Sequence, residues 1–219
     1  MTIPDGLSFD ELNKLYATER ARNLRSMPFE RYFGEMDLSQ EQKDRRIDTA
    51  KDIKAFILIA LAEMYLSREL GTLSTDATGY IRERYQTMLM RLGIPLTQDF
   101  EMTHADEAAI NIVTSTMNHS DDAYFFSEDR AQNIAENEAN FIWNNSEYQD
   151  AILTGKTRKR WSAIMDRRTR DTHKEANGSV VFIDQPFVVG DSLLMYPGDA
   201  SFGASDSELV GCRCSVIYT

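Results

Sequence analysis

The side chains best suited to chemistry in this chain of 219 residues are two cysteines and a histidine. Cys212-Arg213-Cys214 is read as the start of a strand. In an extended segment residues i and i+2 share a face, so both thiols project together and Arg213 projects the opposite way. A bridge between the two sulfurs is unfavourable there, because the extended Cα separation lies at or beyond the usual limit of about 6.8 Å. His173 is one of three histidines, with His104 and His119. Two thiolates and one imidazole form a ligand set for zinc, with water or a carboxylate as fourth donor. The plainer alternative is a pair of small buried apolar side chains beside a hydrogen-bonded packing histidine. The sequence has no second cysteine pair and no HExxH.

The densest polar cluster is Asp166-Arg-Arg-Thr-Arg-Asp-Thr-His173. Asp166 follows an expected strand and precedes a short helical stretch. An aspartate there accepts backbone N–H groups as an N-cap or Asx turn; the competing role is that of a general base. Arg168 and Arg170 are expected to pair with carboxylates of the preceding helix. Lys156, Arg158, Lys159, Arg160, Arg167, Arg168 and Arg170 form a basic run opposed only by Asp166. Such a run is either a patch for phosphate or an acidic partner, or a solvated face. Asn177-Gly178 signals a turn before a strand. Pro197-Gly198-Asp199 reads as a tight turn, with a carboxylate at a site mouth as the alternative. GxSxG, Walker A and GxGxxG patterns are absent.

The elements that must position these residues divide into two textures. Ser8, with Glu11 three residues on, opens an expected helix running to about Met27. Ser39, with Glu41 nearby, opens another that runs to about Leu70 and is ended by Gly71. Its Ile47, Ala50, Ile53, Ile57 and Leu61 recur at steps of three and four, the stripe of an amphipathic helix. Around 56–66 the pattern is apolar on nearly every side, which predicts a central segment touched from several directions. Further helices are expected over 79–92, closed by Gly93-Ile94-Pro95, over 105–118, and over about 127–151, with 121–126 as a connection. Beyond Gly155 short runs at 161–165, 179–183 and 212–218 read as strands, and Phe187 and Leu193–Tyr196 as packing and turn residues. The fold class is therefore α+β: a mainly helical N-terminal domain, 1–126, followed by a small α+β domain, 127–219, with a short antiparallel sheet.

Acids outnumber bases 35 to 24, for a net charge of −11 and a pI near 4.8. That excludes a protein that coats nucleic acid through its overall charge, though not a local basic patch. Two cysteines exclude a disulfide framework. Met1-Thr-Ile-Pro-Asp-Gly6 has neither the basic nor the apolar part of a secretory signal. The longest apolar run, Ala55 to Ala62, is far short of the ~20 residues that span a bilayer. The expected compartment is the cytoplasm in which the chain is made.

In order along the chain stand Trp161, Asp166-x-Arg168-Thr169-Arg170-x-x-His173, Gly178, Pro186-Phe187, Pro197-Gly198-Asp199 and Cys212-Arg213-Cys214. Before them lies a helix from Arg130 to Asn144 with Glu138 inside it. This ordered set resembles the Mu F-like minor head protein family of tailed phages, also called head morphogenesis proteins, over about residues 127–219. Gly211 stands where the family often has Asn, and Asn177 where an Asp often precedes the Gly. The resemblance implies a structural virion protein: a minor capsid component at the portal vertex, acting in head assembly, with some members ejected with the DNA. Some relatives carry a toxin domain after this part, and none is expected here. Its expected partners are the portal protein, capsid and scaffold proteins, with local contact to packaged DNA through the basic run. Its expected places are the host cytoplasm during assembly and the capsid interior near the portal. The helical half is expected to dock on the portal or inner capsid. Two alternatives stand beside this reading. One is a metal-dependent hydrolase with zinc on His173, Cys212 and Cys214 and with Asp166 or Asp199 as general base. The other is a nucleic-acid-binding assembly factor.

Overall fold

The computed structural model describes residues 28–69, 77–93 and 98–219. The helix expected over 8–27, the stop at Gly71 and the Ile94-Pro95 closure lie outside the described residues. Seven α-helices are described: α1 (Phe29–Gly34), α2 (Gln40–Glu69), α3 (Ala77–Leu92), α4 (Gln98–Asn118), α5 (Glu128–Leu153), α6 (Asp171–Ala176) and α7 (Asp206–Leu209). A 3₁₀ turn, Ala123–Phe126, precedes α5. Five short strands complete the α+β fold: β1 (Arg158–Ser162), β2 (Val180–Phe182), β3 (Phe187–Val189), β4 (Ser192–Leu194) and β5 (Ser215–Tyr218). Among the described residues no helix is long and apolar enough to cross a membrane.

Side chains start the two longest helices. Ser39 Oγ accepts from Gln42 N at 3.3 Å while Gln42 Oε1 accepts from Ser39 N at 3.0 Å. This is a reciprocal capping box closed by Gln42 rather than by the neighbouring Glu41. Ser127 Oγ accepts from Arg130 N at 3.2 Å and caps α5. The α2 stripe is buried throughout, at Ile47, Ala50, Ile53, Ile57 and Leu61. The apolar segment 56–66 is not enclosed on all sides as its composition suggested. Phe56, Ala60 and Met64 are buried, but Ile59 is 37% exposed, because one face of the helix meets neighbours and the other meets water.

The chain forms two compact units. One holds the described residues 54–69, 77–91 and 99–134. Its core includes Met64, Ala77 and Phe126, with Tyr65 edge-on to Phe126 at 5.5 Å and Phe56 edge-on to Tyr85 at 5.1 Å. Lys54 pairs with Glu128 at 2.8 Å. The other holds the described residues 28–53, 92–93, 98 and 135–219. There β1 is the central strand of an antiparallel sheet ordered β2-β1-β5, and β3 and β4 form a separate hairpin.

The first expected strand is displaced: β1 begins at Arg158, three residues before Trp161. Lys159 and Trp161 face the core while Arg158 and Arg160 face solvent, so the alternation that marks a strand was masked by a lysine in an inward position. The last strand starts later than expected, at Ser215, because the carbonyls of Cys212 and Cys214 are taken by side-chain amides and not by a neighbouring strand. The β3–β4 hairpin stands where the sequence predicts only packing and turn residues. Its two-residue connection carries Gly190 at φ +57°.

A buried polar row on α5 joins this unit together. Arg46 of α2 is fully buried. Its guanidinium donates to Asn140 Oδ1 at 3.3 Å, Asn144 Oδ1 at 3.2 Å and both oxygens of Glu147 at 2.8 Å. These positions follow helical spacing, so one planar fork spans two turns. Trp143 Nε1 adds a bond to Thr49 Oγ1 at 2.9 Å. Removing one partner of a buried ion pair leaves the other charge desolvated, which costs about 3–5 kcal/mol. Arg46→Ala is expected to lower the unfolding free energy by that order in urea denaturation. Arg46→Lys should recover only part, since an ammonium cannot fork onto three acceptors.

Candidate functional site

The site is assembled from the 211–214 segment, the loop after β1, and α5 to α7. Gly211 sits at φ +70°, a conformation glycine and asparagine tolerate best. Its N–H donates to Asn137 Oδ1 at 2.6 Å. The Cys212 carbonyl accepts from Asn140 Nδ2 at 2.9 Å and from Tyr32 Oη at 3.3 Å. The Cys214 carbonyl accepts from Asn140 and Asn144 Nδ2, each at 3.3 Å. The segment is thus laid along one face of α5 at positions 137, 140 and 144.

Although 212–214 is not laddered strand, it is extended enough to alternate. Arg213, itself buried, reaches Asp166 Oδ1 at 2.5 Å, Glu35 Oε2 at 3.4 Å and Thr169 Oγ1 at 3.4 Å. Asp166 closes its own loop by accepting from Arg168 N at 2.9 Å, Thr169 N at 3.0 Å and Thr169 Oγ1 at 3.1 Å. The Arg213 hydrogen bond is the main reason the Asp166 carboxyl falls to a pKa of about 2.

On the other side both thiols meet His173. Its Nδ1 lies 3.3 Å from Cys214 Sγ and 3.5 Å from Cys212 Sγ, and its Nε2 lies 2.9 Å from Glu208 Oε2. Both cysteines are free thiols, and the three ligand atoms lie within 4.8 Å of one another. Among the described residues they form the group able to hold a metal ion. His173, Cys212 and Cys214 are 1%, 4% and 1% exposed, so no substrate reaches them directly. The hydrogen bond from Cys214 draws the Cys212 thiol well below its usual range, while the same bond and burial push Cys214 up. Burial opposes charge on the His173 ring, but the Cys212 sulfur and Glu208 outweigh it and raise its pKa. Glu208 is fixed by Thr172 Oγ1 at 2.9 Å. A Cβ at Gly190 would lie 2.9 Å from Thr172 Cγ2 and 3.0 Å from Glu208 Oε1, so only glycine fits there.

The remaining sequence-derived residues fall into two groups. Trp161 is buried, with its ring 5.8 Å from His173. Asp199 is also buried and uses its oxygens as a turn cap, accepting from Met195 N at 2.8 Å and Ser201 N at 2.9 Å. Gly198 lets the Pro197 turn lie against Phe141, which a Cβ would approach to 3.1 Å. Gly178, at φ +82°, donates to Trp161 O at 2.9 Å. Asn177 Oδ1 accepts from Ala163 N at 2.9 Å, a bond an aspartate would make equally. Glu138 is half-buried on α5.

The basic run is not one surface. Lys156, Arg158, Arg160, Arg167 and Arg168 are exposed. Arg170 is half-buried and donates to the Val210 carbonyl rather than to a carboxylate of the preceding helix. Lys159 leaves the patch: it is fully buried, with Nζ on Met195 O at 2.8 Å and over the Tyr148 and Phe187 rings at 4.8 and 5.2 Å. Burial pulls its pKa down to about 8. Sequence reasoning passed over Arg46, Asn140, Glu208 and Tyr32. A legible signal was there: asparagines at 140, 144 and 145 are weak helix formers, and several in one helix interior need a tertiary reason.

Two titrations check this arrangement. Asp166 binds its proton more weakly folded than unfolded, so its stabilisation is complete above about pH 4 and is lost as pH falls toward 2. Asp166→Asn should flatten the acid limb of a melting-temperature profile. Lys159 also binds its proton more weakly when folded, so stability should rise between about pH 8 and its unfolded value near 10.5. Lys159→Met should abolish that rise.

A profile of the family described as "Phage Mu protein F like protein" matches residues 102–217. A curated protein of Enterococcus faecalis (strain ATCC 700802 / V583), named NAD(+)--arginine ADP-ribosyltransferase EFV, is 39% identical over 72 residues. These are 32% of this chain and 14% of that protein. The chain therefore matches only a small part of that relative's length. No solved structure matches.

Proposed function

Because the chain belongs to the Mu F-like protein family of phages, a family of head morphogenesis proteins, we propose that it is a minor head component held at the portal vertex. In this reading it assembles in the host cytoplasm, resides in the capsid interior near the portal, and leaves with the DNA. The observation that carries the reading is the extent of the family match, residues 102–217, which runs from α4 through α5 and the strands to all but the last residue of β5. The motif residues support a structural role. Asp166 and Arg213 bind each other, Asp199 caps a turn, and His173 with the two cysteines is enclosed. The likeness to the Enterococcus transferase covers 14% of that protein and brings no transferase activity into this reading.

Local contact with packaged DNA has its own support. On the outward face of the sheet Arg158 is paired with Phe182 and Arg160 with Val180. Phe182 is 55% exposed with the Arg158 guanidinium 4.5 Å over its ring. Cationic groups beside an exposed aromatic suit phosphate and base contact.

Quantitative mass spectrometry of purified procapsids, full virions and emptied particles tests the proposal. A low, fixed ratio to portal in the first two, with loss from emptied particles, is the expected result. Absence from every particle would reject it, and retention in emptied particles would reject ejection alone.

A further inference from the structure

We infer that His173, Cys212 and Cys214 bind one structural zinc ion, with Glu208 orienting the histidine from behind. Such a site belongs to the folded chain itself and is independent of a place in a phage head. Three elements converge on this point: α6 supplies His173, the segment before β5 supplies both sulfurs, and α7 supplies Glu208.

The first support is the histidine's orientation. Nε2 is 2.9 Å from a Glu208 oxygen, so Nε2 carries the proton that this bond needs. Nδ1 is then turned toward two sulfurs at once, at 3.3 and 3.5 Å. One ring nitrogen offers a single hydrogen or a single lone pair and serves one sulfur properly. A cation at the centre of the trio serves all three donors. A carboxylate on the far nitrogen is the usual support of a metal-bound histidine, since it fixes the tautomer and makes the ring a better donor.

The second support is spacing. With Zn–S near 2.3 Å and Zn–N near 2.0–2.1 Å, a tetrahedral centre places nitrogen and sulfur roughly 3.5 Å apart. The two observed separations, 3.3 and 3.5 Å, lie at or just below that value, and all three donor atoms fall within 4.8 Å of one another. The third is the surrounding shell. Trp161 is fully buried with its ring 5.8 Å from His173, so it closes one side of the trio to water. The side-chain amides of Asn140 and Asn144 hold the two cysteine carbonyls, so the sulfurs are presented without freedom of the main chain.

Two thiolates and an imidazole select zinc among common divalent ions; magnesium and calcium require oxygen donors. The ion's role is structural, because the three ligands are 1–4% exposed and leave no approach for a substrate. The ion ties α6 to the segment leading into β5, closing a loop of about forty residues that the small core alone must otherwise hold.

The test uses the full chain purified under reducing conditions without chelator. Elemental analysis should find one zinc per chain. After chelator stripping, cobalt should enter with thiolate charge-transfer and tetrahedral d–d absorption, zinc should displace it, and the melting temperature should rise on refilling. Cys214→Ser should lose both the metal and the charge-transfer band. Where that variant fails to fold, Glu208→Gln, which keeps a hydrogen-bond partner for Nε2, should fold and hold zinc about 10–100-fold more weakly. A wild-type chain that contains no metal and takes up neither zinc nor cobalt would overturn the inference. So would metal that binds equally to wild type, Cys214→Ser and Glu208→Gln.

Discussion

The burial of a single guanidinium sets the terms for the C-terminal fold. Arg46 is taken wholly out of water, which is costly unless every donor finds an acceptor. Asn140, Asn144 and Glu147 on α5 supply those acceptors at spacings that put them on one face. Holding the asparagine oxygens toward Arg46 turns their amide N–H groups the other way, onto the carbonyls of Cys212 and Cys214. A neutral amide thus links a buried cation on one side to a backbone segment on the other. The direction of each asparagine is fixed by its two partners together.

Everything chemically suggestive in the chain hangs from that row. With its carbonyls pinned, the 212–214 segment presents its side chains alternately: sulfurs toward His173, guanidinium toward Asp166. Arg213 and Asp166 tie the loop after β1 to the same segment. Glu208 and Gly190 set the far side of His173, one by a hydrogen bond and the other by yielding the space that a Cβ would occupy. The resulting organisation encloses Arg46, Lys159, His173 and Arg213 and leaves Arg158, Arg160, Arg167 and Arg168 at the surface.

Much of the helical half was legible because helices announce themselves locally. The stripe from Ile47 to Leu61 repeats with the period of the helix, and serines stand at the starts of α2 and α5. The strands were less legible. Arg158-Lys-Arg-Trp161 alternates inward and outward like any half-buried strand, yet its inward residues include a lysine, so hydrophobicity alone showed no period of two. The β3–β4 hairpin is only three residues on each side, too short for alternation to emerge from its turn residues.

By itself the sequence determined the fold class, the family, the pairing of Cys212 with Cys214 on one side of the chain, and the turn roles available to Asp166 and Gly178. Each follows from local geometry or from the order of residues along the chain. Only the tertiary structure decided which residues those groups meet. It took Lys159 out of the basic run and into the core, and it gave the buried acceptors of Arg46 to asparagines 94 and 98 residues away. It also placed Glu208 behind His173, 35 positions earlier. The physical reason is that a buried polar group is satisfied by whatever the fold brings within about 3 Å. No spacing in the sequence encodes a partner that reaches it only through the packing of separate elements.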